Sequence, residues 1–182
     1  MNRVISVFGS SAPKPGSAAY EEAYTIGRLL AEAGFAVATG GYSGTMTAAS
    51  QGAAEANGRV IGVTCTQISE FRHFGPNRWV QEEIRYDTLR DRLLHLVMHN
   101  DGIIVLPGGI GTLSEMTMAW GLLQVGEMEK RPFSLLGSVW HNTINTFYTP
   151  EYVAADYLAL LHFATTPEEA VAHMGVRITS NK

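Results

Sequence analysis

The sequence has little cysteine and no long apolar run. Its 182 residues include a single cysteine, Cys65, so no disulfide can form within the chain, and we expect a cytoplasmic location. No apolar stretch approaches the roughly 20 residues that a membrane-spanning helix needs. The first residues also lack the layout of a secretory signal. We therefore expect neither a secreted, disulfide-bonded domain nor a membrane protein.

Charged residues are also scarce, at 16% of the chain, and 13 Lys and Arg against 17 Asp and Glu give a formal net charge of −4. Proteins that grip nucleic acid nonspecifically usually carry a basic field, so we expect no nucleic-acid partner. The length and the 46% hydrophobic content predict one globular domain over residues 1–182.

Short apolar runs alternate with stretches of helical periodicity along the chain. The runs lie at 4–8, 35–38, 60–63, 103–106 and 133–136. Most are followed by a glycine- or serine-containing turn and then by apolar residues at helical spacing. This rhythm is typical of parallel βαβ units, and the lack of clean alternation indicates strands covered on both faces. The pattern predicts an α/β fold: an open, doubly wound, Rossmann-like parallel sheet of about five to seven strands with helices on both faces. Terminal helices are expected from about residue 150 onward.

Residues 64–81 form the least regular stretch, which predicts a long loop. It contains the aromatic and cationic residues Phe71, Arg72, His73, Phe74, Arg78 and Trp79. A loop of this length inside a compact domain is uncommon and often functional. It could cover a bound ligand, although packing on the surface is the commoner outcome.

Three glycine-rich turns are candidates for phosphate binding, at 9–11, 40–45 and 107–112. The carboxyl ends of parallel strands meet at one edge of a sheet, and helix N-termini there suit a phosphate. None of the turns is a Walker A sequence, and Ser114 stands where GxGxxG requires its last glycine. One turn alone would indicate only tight strand-to-helix geometry. Three together favour a nucleotide or sugar-phosphate ligand.

The segment 107–115, PGGIGTLSE, resembles PGGxGTxxE, the signature of the LOG family. Members of this family are cytokinin riboside 5′-monophosphate phosphoribohydrolases, often mislabelled lysine decarboxylases. The likeness extends to VFGSS at 7–11 and to GGYSGTM at 40–46, which is similar to the family's GGGxxGLM turn. Arg92 lies where the family has the catalytic arginine of its RKxxM segment, whereas Leu93 and Leu96 replace the lysine and the methionine. The resemblance spans roughly residues 3–150.

The resemblance implies an enzyme that cleaves the N-glycosidic bond of a cytokinin-type or adenine ribonucleotide such as AMP, releasing free base and ribose 5-phosphate. It implies no metal or redox cofactor. The catalytic candidates are Arg92 and Glu115, and Arg92 is expected to hold Glu115 ionised. The substrate- and phosphate-binding candidates are Ser10, Gly41, Gly44, Gly108, Gly109, Gly111 and Thr112. The family also implies a homodimer, which agrees with surplus apolar residues such as Leu94 and Leu122 on the helices near the site.

Several alternatives remain open at this point. The wider superfamily includes non-catalytic molybdenum-cofactor carriers, with which Leu93 and Leu96 are compatible. Thr112 to Glu115 also reads T-x-x-E, the pattern of a capping box, and Arg92 could instead belong to a surface ion pair with Asp91.

Two further activities are disfavoured by the residues themselves. His95 and His99 are spaced like a metal pair, but no third ligand follows at suitable spacing. A pyridoxal-dependent decarboxylase needs a positioned lysine. The chain has only Lys14, Lys130 and Lys182, and none lies in a turn at a strand end, so we reject lysine decarboxylation.

Overall fold

The computed structural model describes residues 2–72 and 75–175, which form seven strands and eight helices. The strands are β1 Val4–Phe8, β2 Ala36–Thr39, β3 Val60–Cys65, β4 Glu82–Tyr86, β5 Gly102–Val105, β6 Phe133–Leu136 and β7 His162–Ala164. The helices are α1 Ala18–Glu32, α2 Thr45–Glu55, α3 Thr66–Arg72, α4 Leu89–Met98, α5 Ile110–Gln124, α6 Ser138–Phe147, α7 Ala155–Leu158 and α8 Pro167–Met174. None of the described helices is both long and apolar enough to cross a membrane.

All seven strands pair in parallel in one sheet, in the order β4-β3-β2-β1-β5-β6-β7. The chain builds outward from β1 to β4 and then returns to the other side of β1 with β5. Ser6 of β1 therefore pairs with Ala38 of β2 on one side and with Ile103 of β5 on the other. The predicted open, doubly wound sheet is confirmed, with its switch point between β1 and β5.

Helices cover both faces of the sheet. On one face α1, α2 and α8 pack over a buried cluster that includes Ile5 and Ile104. On the other face α4, α5 and α6 enclose a second cluster around Phe8 and Trp140. Successive residues of a strand point to opposite faces, and helices cover both faces here, so every residue of β3 and β5 is buried. This is why those strands appear in the sequence as unbroken apolar runs.

The structure corrects the interpretation of residues 64–81 as a loop. Residues 60–65 form β3, and α3 occupies Thr66–Arg72 directly after it, while His73 and Phe74 lie outside the described residues. The following strand, β4, was not predicted either. It lies at the sheet edge, and its sequence EEIRY is exposed or half-buried throughout. Charged edge strands carry little apolar signal, which explains why periodicity missed it. β7, between α7 and α8, is a further strand beyond residue 150 that was not anticipated.

Helices α1 and α2 approach each other unusually closely because glycine lies at their contact. A Cβ on Gly27 of α1 would collide with the backbone carbonyl of Ala49 in α2. Glycine lowers intrinsic helix stability, so its presence inside α1 reflects this close approach.

We predict that Gly27→Ala lowers the free energy of unfolding by about 1–3 kcal/mol, since the added methyl group must push two buried helices apart. Gly121→Ala is the matched control, because Gly121 lies inside α5 with open space around its Cα. This substitution should be neutral or stabilising by up to about 1 kcal/mol. Urea denaturation of the three proteins measures both effects. Equal stabilities for the two variants would contradict the close-packing explanation.

Candidate active site

A cavity of about 310 Å³ opens at the carboxyl ends of β1, β2 and β5. Its lining includes the turn after β1, part of the turn after β2 and the start of α5, so the three glycine-rich turns meet at one edge of the sheet, as predicted. Open parallel sheets collect their ligands at this switch point. The volume lies near the lower end of the roughly 300–1,000 Å³ typical of small-molecule sites.

The structure brings six of the nine predicted site residues to this cavity, namely Ser10, Arg92, Gly109, Gly111, Thr112 and Glu115. The other three shape the turns behind the cavity wall. Gly41 and Gly44 have φ values of 76° and 69°, which favour glycine. A side chain on Gly44 would collide with the carbonyl of Ser10, and one on Gly108 would collide with Thr112. Gly44 therefore allows two backbone segments to approach closely, and Gly108 leaves room for the side chain of Thr112.

Helix α5 presents its N-terminus to the cavity. Gly109 is the N-cap, so no cap side chain accepts a hydrogen bond from the first turn. Unpaired N–H groups and the positive end of the helix dipole make such an end suitable for a phosphate. The helix begins at Ile110, so Thr112 is already its third residue and cannot be the N-cap. The capping-box interpretation of Thr112 and Glu115 is therefore wrong.

Arg92 is buried, not paired on the surface. Only 5% of the residue is exposed. Its Nε donates to the carbonyl of Val63 at 2.8 Å, and Nη2 donates to the carbonyl of Gly40 at 3.3 Å. A side chain on Gly40 would collide with Nη2. Asp91 instead contacts Arg90, with 3.0 Å between Nε and Oδ1. The alternative of an Arg92–Asp91 surface pair is wrong.

Glu115 faces Arg92 across the site. The distance from Arg92 Nη1 to Glu115 Oε1 is 3.7 Å, which is within ion-pair range but too long for a direct hydrogen bond. Burial raises the pKa of the Glu115 carboxyl from 4.5 to about 7, and the positive charge of Arg92 lowers it by less. The expectation that Arg92 keeps Glu115 fully ionised therefore needs correction. Near neutral pH this carboxyl is poised between its two protonation states.

The cavity has an apolar side that the sequence analysis did not assign. Met46 of α2, Ile68 of α3, Leu89 of α4 and Ile110 of α5 contribute to it. Ile68 comes from the stretch that was predicted as a loop. The suggestion that this stretch could cover a ligand was the only sequence indication that it reaches the cavity. Apolar residues of this kind are suited to the body of a ligand, whereas the polar groups fix its orientation.

The structure offers little to a metal ion. Among the described residues, no group of three or more His, Cys, Asp and Glu side chains is arranged to hold one. His95 and His99 stack with 4.5 Å between ring centroids, and His95 Nδ1 lies 2.8 Å from the hydroxyl of Tyr86. The histidine pair is thus packed against an aromatic neighbour.

Comparison with known proteins identifies the family of this chain. The sequence model of a family described as "Possible lysine decarboxylase" matches residues 46–174. The chain belongs to this family. The cytokinin riboside 5′-monophosphate phosphoribohydrolase LOG5 of Arabidopsis thaliana is 32% identical over 111 residues, covering 59% of this chain and 46% of that protein. The resemblance to the LOG family is confirmed.

Two solved structures share the fold of this LOG-type chain over nearly its whole length. The molybdenum cofactor binding protein of Rippkaea orientalis is 25% identical, with a TM-score of 0.74 and 94% of each chain covered. The molybdenum cofactor carrier protein of Chlamydomonas reinhardtii is 26% identical, with a TM-score of 0.70 and coverage of 94% of this chain and 95% of that one.

The decarboxylase description of the family does not fit these residues. Pyridoxal phosphate requires a lysine amine for its Schiff base. Lys14 and Lys130 are exposed, and neither lines the cavity that holds Arg92 and Glu115. Lys182 lies outside the described residues. No step of a pyridoxal mechanism can be assigned to the described part of this LOG-type chain.

We predict that the buried Glu115 makes stability depend on pH. The folded protein retains the Glu115 proton to about pH 7, whereas the unfolded chain releases it near pH 4.5. The stability contributed by this proton is complete below pH 4.5 and is lost as pH rises through 7. At about 1.4 kcal/mol per pH unit, the loss is on the order of 3 kcal/mol.

Urea denaturation at several pH values between 4.5 and 8 measures this loss. Glutamine does not titrate, so Glu115→Gln should not show this loss. The wild-type free energy of unfolding minus that of the variant should therefore fall by about 3 kcal/mol as pH rises from 4.5 to 8. Parallel curves for the two proteins would show that Glu115 titrates normally.

Proposed function

We propose that this protein is a nucleoside 5′-monophosphate phosphoribohydrolase. In this proposal it cleaves the N-glycosidic bond of a cytokinin-type or adenine ribonucleotide to free base and ribose 5-phosphate. The observation that carries the proposal is the buried Arg92–Glu115 pair, which faces a cavity bounded by glycine-rich turns. The pair supplies a carboxylate for the sugar, and the turns supply N–H groups for the phosphate.

The 5′-phosphate would bind at the start of α5. The N–H groups of Gly109, Gly111 and Thr112 are the proposed donors, supported by the positive end of the helix dipole. Ser10 lines the same cavity from the turn after β1 and adds a hydroxyl donor. Gly41, Gly44 and Gly108 would contribute through the shape of the turns. Binding energy gained at the phosphate can be used to orient and distort the sugar.

The reaction would place positive charge on the ribose ring. The bond from C1′ to the base nitrogen breaks, its electron pair leaves with the base, and a water oxygen bonds to C1′. Glu115 can stabilise the oxocarbenium-like transition state or accept the proton of the attacking water. A carboxyl that titrates near pH 7 suits the second role, because at neutral pH it can release that proton again, and the departing base nitrogen takes up a proton to give the neutral free base. Arg92 would keep the carboxylate in place and contact the sugar or phosphate.

A second candidate function is binding of a phosphorylated cofactor without hydrolysis. It is favoured by the two similar structures, whose proteins bind or carry the molybdenum cofactor. Incubating purified protein with AMP and with isopentenyladenosine monophosphate distinguishes the two functions. Release of free base and ribose 5-phosphate from either nucleotide supports the hydrolase. No release from either, together with a cofactor retained through purification, would reverse the assignment.

We predict that Glu115→Gln lowers turnover of a nucleoside monophosphate at pH 8 by roughly a hundredfold or more, because glutamine carries no negative charge. Its melting temperature at pH 6 should stay within a few degrees of wild type, since protonated glutamate and glutamine have the same charge and similar shape. Binding of the nucleotide should persist, because the start of α5 is untouched. Arg92→Ala should lose turnover to a similar extent.

Glu127→Gln is the matched control, because Glu127 is exposed beyond the end of α5. It should retain wild-type turnover. A Glu115→Gln protein that turns over at the wild-type rate would refute the mechanism.

The protein is further proposed to be a homodimer, and the expected cytoplasmic location stays a prediction. Large apolar side chains remain exposed on the helices beside the cavity: Ile110 is 79% exposed, Leu89 46% and Leu94 37%. Burying such residues in a second copy would be favourable. We expect a mass of twice 19.8 kDa at micromolar concentration by light scattering. A monomer mass would contradict the dimer.

A further inference from the structure

Tyr42 is an aromatic residue in an otherwise small-residue turn, and the mechanism above gives it no role. It is only 3% exposed, yet it contributes to the cavity wall. The centre of its ring lies 5.6 Å from Cζ of Arg92. This distance is within the range in which a guanidinium is attracted to the face of an aromatic ring.

The phenol group of Tyr42 is held at the end of β3. Its hydroxyl accepts a hydrogen bond from the backbone N–H of Cys65 at 2.9 Å and donates to the carbonyl of the same residue at 3.0 Å. Ser69 Oγ of α3 lies 3.3 Å from the same oxygen. Cys65 ends β3 and α3 begins at the next residue, so the ring is tied to the strand–helix junction that carries Ile68 to the cavity.

The backbone of Tyr42 is fixed as well. Its carbonyl accepts from Thr47 Oγ1 at 2.7 Å and from Asn77 Nδ2 at 3.1 Å. With both its backbone and its hydroxyl bonded, the side chain has little freedom to move away from Arg92.

The ring of Tyr42 adds to the polar contacts that already hold the Arg92 guanidinium. The carbonyls of Val63 and Gly40 accept hydrogen bonds from its Nε and Nη2, and its third nitrogen, Nη1, faces Glu115. The two carbonyls fix one edge of the planar group, and a ring packed against it limits its tilt. We propose that Tyr42 is a positioning residue, which holds Arg92 in the orientation required beside Glu115. Its effect on turnover rests on the proposed function, whereas its effect on Arg92 does not.

Two variants separate the ring from the hydroxyl. Tyr42→Phe keeps the ring, and Tyr42→Leu removes it while preserving an apolar side chain. We expect Tyr42→Leu to lower kcat for base release by about tenfold or more, because small misplacements of catalytic groups are costly. KM should change little, and Tyr42→Phe should restore most of the rate. In an Arg92→Ala background, Tyr42→Leu should cause no further loss.

The same loss from Tyr42→Leu in both backgrounds would indicate general structural damage and overturn the proposal. So would a Tyr42→Phe protein as impaired as Tyr42→Leu, or a Tyr42→Leu protein with the wild-type rate.

A readout that does not need turnover is the Nε–H resonance of Arg92 by nitrogen-15 NMR. It should be sharp and slow to exchange with water in wild type and in Tyr42→Phe, and broadened or lost in Tyr42→Leu. If wild type releases no base but this pattern appears, the hydrolase proposal fails while the role of Tyr42 stands. An unchanged Arg92 resonance in Tyr42→Leu would overturn the positioning role.

Discussion

The side chains of Arg92 and Glu115 are 7% and 11% exposed, and their opposite charges lie 3.7 Å apart. Taking two charges out of water costs several kcal/mol per ion unless other polar groups replace the solvent. For Arg92 the carbonyls of Val63 and Gly40 do this. Glu115 is less well compensated, and burial accordingly raises its pKa to about 7. Glu115 can therefore gain or lose a proton at neutral pH, whereas the carboxyl of an exposed ion pair stays ionised there.

The topology of the sheet determines where this pair lies. Because β1 is flanked by β2 and β5, the turns after all three strands open on the same cavity. Helices α4 and α5 pack on the same face of the sheet, and they bring Arg92 and Glu115 respectively to this edge. Close approach requires glycine at Gly40, where any side chain would occupy the position of Nη2. Fold and chemistry thus depend on the same turns.

Much of this arrangement could be predicted from the sequence. Strands buried on both faces appear as apolar runs, so five of the seven were predicted, and the glycine-rich turns indicated the site. The edge strand β4 and the helix α3 were missed because their residues are exposed or half-buried and carry no clear period, and the edge strand β7 was missed because it is only three residues long. The burial of Arg92 and the raised pKa of Glu115 depend on contacts between residues far apart in the chain. The capping box was a local pattern that failed because α5 begins at Ile110, ahead of Thr112.

The protonation of Glu115 in the intact protein tests this account most directly. Carbon-13 NMR of protein labelled at the glutamate carboxyl carbons, with Glu115→Gln used to assign the signal, would follow it through a pH titration. The account predicts a midpoint near pH 7, shifted further upward in Arg92→Ala as the nearby positive charge is removed. A midpoint near the ordinary value of 4.5, unaffected by Arg92→Ala, would show that the two groups do not form the buried, coupled pair on which the proposed chemistry depends.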